Sequence, residues 1–162
     1  MKTTRVITRS FPSRQRGAGL IEVLVAVLVM GVGLLGIAAM QTTALRNSQS
    51  SLERSQSVVQ TYSILEAMRA NRADAVAGAY NTHGWMCVVP AGGTPATNDR
   101  AAWITSLKAT MGVAGDTTTC GQIACGNNGA CTITVRWDDQ RASDGPSIAG
   151  SSTRDVVTRT QL

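Results

Sequence analysis

The chain has 162 residues, of which 43% are hydrophobic and 15% charged, with 15 Lys and Arg against 10 Asp and Glu, for a net charge of +5. Five of the basic residues (Lys2, Arg5, Arg9, Arg14 and Arg16) fall in the first 17 positions, which contain no acid, so the remainder carries ten of each sign and is formally neutral. This balance argues against a nucleic-acid-binding surface, and a single histidine, His83, leaves no Ser/His/Asp arrangement to defend.

The first element is membrane-like. Arg16-Gly17-Ala18-Gly19-Leu20-Ile21-Glu22 leads into Val23–Met40, 18 residues without a charge, which is long enough to span a bilayer. The basic residues ahead of it predict a cytoplasmic N-terminus by the positive-inside rule. A secretory signal peptide fits worse, because its apolar core is shorter and ends in small residues. An uncleaved signal anchor is the plainer alternative, but it gives no use to Glu22, a carboxylate just inside the apolar run. Interfacial snorkelling would be the simplest account of Glu22. Gly31, Gly33 and Gly36 suit a membrane helix, by composition alone or by allowing neighbouring helices to approach closely.

Helix formers continue past Met40, and Gly78 is the natural stop, so a single helix from Leu20 to about Ala77, roughly 85 Å long, is expected. Leu45, Leu52 and Val59 recur at heptad spacing, and Val58, Tyr62, Leu65 and Arg69 follow at three or four, predicting the face that packs on a domain. Arg46, Gln49, Glu53, Arg54, Gln60 and Glu66 would form the solvent face.

From Gly78 the chain becomes turn-rich. Gly84, Pro90, Gly92-Gly93 and Pro95 mark an irregular region, and after Asn98-Asp99 the spacing of Trp103, Leu107 and Met111 predicts a short helix. Thr117–Ala124 and Cys131–Trp137 read as strands flanking the turn Gly126-Asn127-Asn128-Gly129, and Arg154–Gln161 as a last strand. The fold class is therefore α+β, a long N-terminal helix packed against a small C-terminal antiparallel sheet. Three segments result: a leader over 1–17, a helix over 18–77 with a transmembrane part at 20–40, and a β-rich domain over 78–162.

The four cysteines, Cys87, Cys120, Cys125 and Cys131, all follow the membrane segment, on the periplasmic side if the leader is cytoplasmic, so two disulfides are expected. The gaps match no zinc motif, and no metal or other cofactor is expected. A turn at Asn127-Asn128 would bring Cys120 opposite Cys131, leaving Cys87 for Cys125. His83 reads as a loop residue, Asp138-Asp139 as a strand-end turn rather than an acid/base pair, and Trp103 and Trp137 as core rather than stacking platforms. No catalytic residue emerges, and the chain is not expected to be an enzyme.

The stretch around Gly17 resembles the class III signal of type IV pilins and pseudopilins, in which a basic leader ends in glycine and a Leu-Ile-Glu-Val-Leu core opens a long apolar helix. The resemblance implies cleavage after Gly17 by a prepilin peptidase and N-methylation of Ala18. It also implies that Glu22, the fifth residue of the processed chain, neutralises the terminal amine of a neighbouring subunit during assembly. Ala18 and Gly19 stand where the family usually has Phe and Thr. Gly33-Leu34-Leu35-Gly36, Glu66-Ala67-Met68-Arg69-Ala70-Asn71-Arg72, Gly78-Ala79-Tyr80-Asn81 and Thr134-Val135-Arg136-Trp137-Asp138-Asp139 are similar to blocks of the PilV group of minor pilins.

That resemblance implies a low-abundance subunit of the type IV pilus. It would prime assembly with other minor pilins, the major pilin and the inner-membrane assembly platform, and could sit at the fibre tip. It would be anchored in the inner membrane by one span, with its C-terminal domain in the periplasm, before entering the extracellular fibre. A minor pseudopilin of a type II secretion system, or a receptor- or DNA-binding minor pilin, would bear the same signal.

Overall fold

A computed structural model describes Gly17, residues 19–140 and residues 151–162. The rest of the predicted leader, and Ala18, lie outside the described residues. The elements in chain order are α1 (Leu20–Ala70), α2 (Arg72–Val76), α3 (Pro95–Met111), β1 (Cys120–Cys125), β2 (Ala130–Trp137) and β3 (Arg154–Gln161). The chain divides into two units after Met40.

In the first unit, α1 is apolar all round and its large side chains are exposed. The second unit has a core. The long helix packs there against a three-stranded antiparallel sheet of order β1-β2-β3. Ile64, Leu65 and Met68 of α1 meet Trp103, Ile104, Leu107 and Met111 of α3, and Ile123, Ile133, Val135 and Trp137 of the sheet. Strand β2 buries alternate residues, as a strand with one face on a core must.

The buried stripe of α1 shares only Leu65 with the predicted one. Glu53, Ser57, Gln60, Thr61, Ile64, Leu65 and Met68 are buried, whereas Leu45, Leu52, Val59 and Tyr62 are each more than half exposed. The polar half of the stripe can be buried because its hydrogen bonds are made locally. Ser57 Oγ donates to the Arg54 carbonyl at 2.7 Å and Thr61 Oγ1 to the Ser57 carbonyl at 2.8 Å. Gln60 Nε2 donates to Ser106 Oγ on α3 at 2.8 Å, so Gln60 faces the domain rather than solvent.

The helix also ends early. Asn71 takes φ −116° and ψ 49°, outside the helical region, and separates α1 from α2. Its amide Nδ2 donates to Asp74 at 3.0 Å, the local side-chain bonding by which Asn competes with helix continuation. Gly78 follows with φ +87°, a left-handed residue that closes the helical segment.

Helix α3 begins at Pro95, so Asn98-Asp99, expected to precede it, lie within it. Thr94 and Thr97 form a reciprocal capping box, and proline stands in the first turn, where its missing N–H costs nothing. Strand β1 starts at Cys120 rather than Thr117. Asp116 gathers the backbone N–H groups of Val113, Thr118 and Thr119, holding the preceding residues in a turn.

Both disulfides differ from the expected pairing. Cys87 bonds Cys120, and Cys125 bonds Cys131. The hairpin is centred on Asn128, so residues equidistant from it face each other: Cys125 opposes Cys131, and Cys120 opposes Arg136. Cys120 and Cys131 therefore cannot meet. Cys87 reaches Cys120 because Met86 forms an antiparallel bridge with Gly121.

Candidate functional site

The processing and assembly residues singled out in the sequence lie at the start of α1. Gly17 and Gly19 are exposed, and the helix begins at Leu20. The Gly19 carbonyl accepts from the Glu22 N–H at 2.9 Å and the Val23 N–H at 3.2 Å, so Glu22 occupies the first helical turn. There its carboxylate is favoured by the positive end of the helix dipole. Ala18 is outside the described residues, so Glu22 is the member of the predicted Ala18–Glu22 pair whose position is given.

Beyond Glu22, α1 contains one stretch long and apolar enough to cross a membrane, by length and composition, and none of that stretch is buried within the chain. Gly31, Gly33 and Gly36 have nothing within 4 Å of where a β-carbon would stand. Apolar surface of this extent is unfavourable in water. Its chemistry is to be covered by lipid or by other apolar helices.

In the second unit, the loop from Asn81 to Cys87 forms the outer border of the sheet. Met86 exchanges backbone hydrogen bonds with Gly121, at 2.8 and 3.0 Å. Thr82 donates its N–H to the Ile123 carbonyl and accepts the Ile123 N–H on Oγ1. Asn81 does the same for Cys125 with its side chain alone, accepting at 2.7 Å and donating at 3.1 Å. The Cys87–Cys120 disulfide locks the arrangement. No composition signal marked Asn81 and Thr82 for this role, though both side chains carry donors and acceptors that can imitate a strand.

The other predicted residues are placed individually. His83 is exposed in the loop, with φ +53°. Trp103 and Trp137 are buried, and Trp85 is partly exposed with the Arg136 guanidinium 3.8 Å above its ring. Arg136 also grips Asp155 through two 2.8 Å hydrogen bonds, and this pairing holds its pKa above the ordinary guanidinium value. Tyr80 is fully buried and donates to Asp99 at 2.5 Å; burial first, then that carboxylate, push its phenol up to about 12. Asp138 and Asp139 end β2 without acting together. Asp138 accepts the Gln140 N–H, while Asp139 is buried beside Arg154. Among the described residues no group of three or more His, Cys, Asp or Glu side chains could hold a metal.

Residues 12–38 match the family model described as the prokaryotic N-terminal methylation motif. No curated protein and no solved structure matches the chain. The motif suggests a structural rather than an enzymatic role, and it implies dealings with pilins and a prepilin peptidase in general. With the apolar helix it opens, it fits inner-membrane anchoring with pilus assembly. The methylation motif, the long helix and the small antiparallel sheet packed on it together support a type IV pilin-like protein.

Proposed function

We propose that the chain is a minor pilin of the PilV type, which primes assembly of the type IV pilus and travels to the fibre tip. Residues 1–17 are the leader, removed after Gly17, and the new N-terminus at Ala18 is methylated. The span over 20–40 holds the subunit in the inner membrane with residues 78–162 in the periplasm, until neighbouring subunits replace the lipid. Glu22 pairs with the Ala18 amine of a neighbour and neutralises a charge that would otherwise be costly among apolar helices.

The observation that carries this reading is the order of features at the N-terminus. A methylation motif over residues 12–38 coincides with an apolar helix that buries none of its membrane-length stretch within its own chain and has Glu22 in its first turn. A simple anchor needs the apolar length but not the carboxylate.

The test is the intact mass of the chain from host membranes, with and without the host's prepilin peptidase. Loss of residues 1–17 only when the peptidase is present is expected, and an uncut chain in both strains would overturn the reading. Glu22→Ala should still be processed yet fail to enter pili; normal incorporation would remove the role given to Glu22. Deletion should abolish twitching motility, whereas loss of exoprotein secretion with twitching intact would assign the chain to a type II secretion system.

A further inference from the structure

The two edges of the sheet are treated differently. The β1 edge is occupied by Asn81, Thr82 and Met86, which bond the outward backbone groups of Cys125, Ile123 and Gly121. Among the described residues nothing pairs with the outer edge of β3, an eight-residue strand of which half the residues are β-branched. Long open edges of this kind pair readily with another strand.

The direction of the free groups on β3 follows from antiparallel alternation. Gly121, Ile123 and Cys125 point away from β2, so Cys120, Gln122 and Ala124 bond it, through Arg136, Thr134 and Thr132. Cys131, Ile133 and Val135 therefore turn toward β3, where they face Thr160, Thr158 and Val156. This leaves the backbone N–H and C=O groups of Asp155, Val157 and Arg159 directed outward, and all three side chains are exposed.

We propose that β3 pairs with β3 of a second copy of this chain, antiparallel about a two-fold axis at Val157. In that register Val157 faces its own symmetry mate, and Asp155 faces Arg159 of the other copy at both ends. The three residues whose backbone groups point outward are thus the three that meet as hydrogen-bonded pairs. Asp155 is already paired with Arg136 of β2, so Arg159 of the other copy would meet a carboxylate shared with Arg136. The exposed Val157, 52% accessible, would lie against its equivalent. Because the contact is self-complementary, it closes as a dimer of two joined sheets rather than propagating. The inference does not depend on the pilus reading, since it uses the sheet alone.

The test is site-directed disulfide trapping of the full chain in host membranes. All four native cysteines are paired with each other, so Val157→Cys introduces one new thiol. Hydrogen-bonded antiparallel partners have Cα atoms about 5.5 Å apart, within disulfide reach. Oxidation should give Val157→Cys a band at twice the monomer mass that reduction removes. Val113→Cys, at a residue 64% exposed and outside the edge, should stay monomeric. Adding Arg159→Asp to Val157→Cys should abolish the dimer by placing acid against acid. No dimer beyond that of Val113→Cys, trapping of a chain of different mass, or a dimer indifferent to Arg159→Asp would each overturn the proposal.

Discussion

Asp139 Oδ2 accepts a 2.8 Å hydrogen bond from Ser50 Oγ of α1 and a 3.1 Å one from Arg154 Nε of β3, whose Nη2 completes an ion pair at 3.1 Å. One buried carboxylate thereby ties the long helix to the far strand. Asp139 is 1% exposed, whereas the Arg154 side chain is one-third exposed and can recover some hydration. Asp139→Ala strands the Ser50 hydroxyl and the guanidinium together and should cost about 3 kcal/mol. Asp138→Ala, which loses only the bond to the Gln140 N–H, should cost about 1 kcal/mol. Chemical denaturation of the full chain in detergent would compare them, and equal losses would deny Asp139 its tie.

Asp116 predicts the acid limit of the domain. Burial, the strongest single influence, pushes its carboxyl up. The N–H groups of Thr119 and Val113 and the Lys108 ammonium outweigh it and hold the pKa at about 2, below the ordinary 3.8. The folded value is depressed, so the stabilisation is present above the unfolded pKa and is lost as pH falls through the folded one. The expected loss is about 2 kcal/mol between roughly pH 4 and pH 2. Asp116→Asn should remove this component of the pH dependence in unfolding measurements across that range.

Gly121 is required by Trp103. A β-carbon at position 121 would lie 2.4 Å from both Cη2 and Cζ3 of the Trp103 ring, which is itself buried between α3 and β1. Gly121→Ala must displace either the indole or the strand, and should cost about 3 kcal/mol, at the upper end of overpacking effects. Trp103→Leu in the same background should recover part of the loss. Far-UV circular dichroism against denaturant would report both. A Gly121→Ala chain as stable as the parent would show that the ring and strand are free to move apart.

The α+β class, the hairpin and β3 were legible because a period-two pattern with Gly-rich turns leaves few alternatives. The long apolar stretch of α1 was legible from its length without charge. The packing face of α1 was not. Heptad spacing of Leu45, Leu52 and Val59 pointed to one side, yet the domain packs on Ser57, Thr61, Ile64 and Met68, where small hydroxyl residues bond the helix itself. Hydrophobic periodicity identifies a face that some partner covers, and in a chain of this kind the partner need not be its own domain. The capping box at Thr94 and the Asn81–Thr82 border failed to register for another reason: each depends on a side chain imitating backbone, which composition does not reveal.

The two disulfides should contribute unequally. Cys87–Cys120 closes a loop of 33 residues and pins the Asn81–Cys87 border to β1, whereas Cys125–Cys131 spans six residues already joined by the hairpin. Loop-closure entropy alone predicts about 4 kcal/mol for the first and about 2 kcal/mol for the second. The gap should widen in practice, because releasing Cys87 also frees Met86 and exposes the outward groups of Gly121 to water or to another strand. Paired serine substitutions at 87 and 120 should therefore lower the denaturation midpoint more than those at 125 and 131. They should also raise amide exchange in β1 selectively, while the second pair leaves β1 protected. Equal midpoints with uniform exchange would mean that the border holds without its covalent lock, through the Asn81 and Thr82 hydrogen bonds alone.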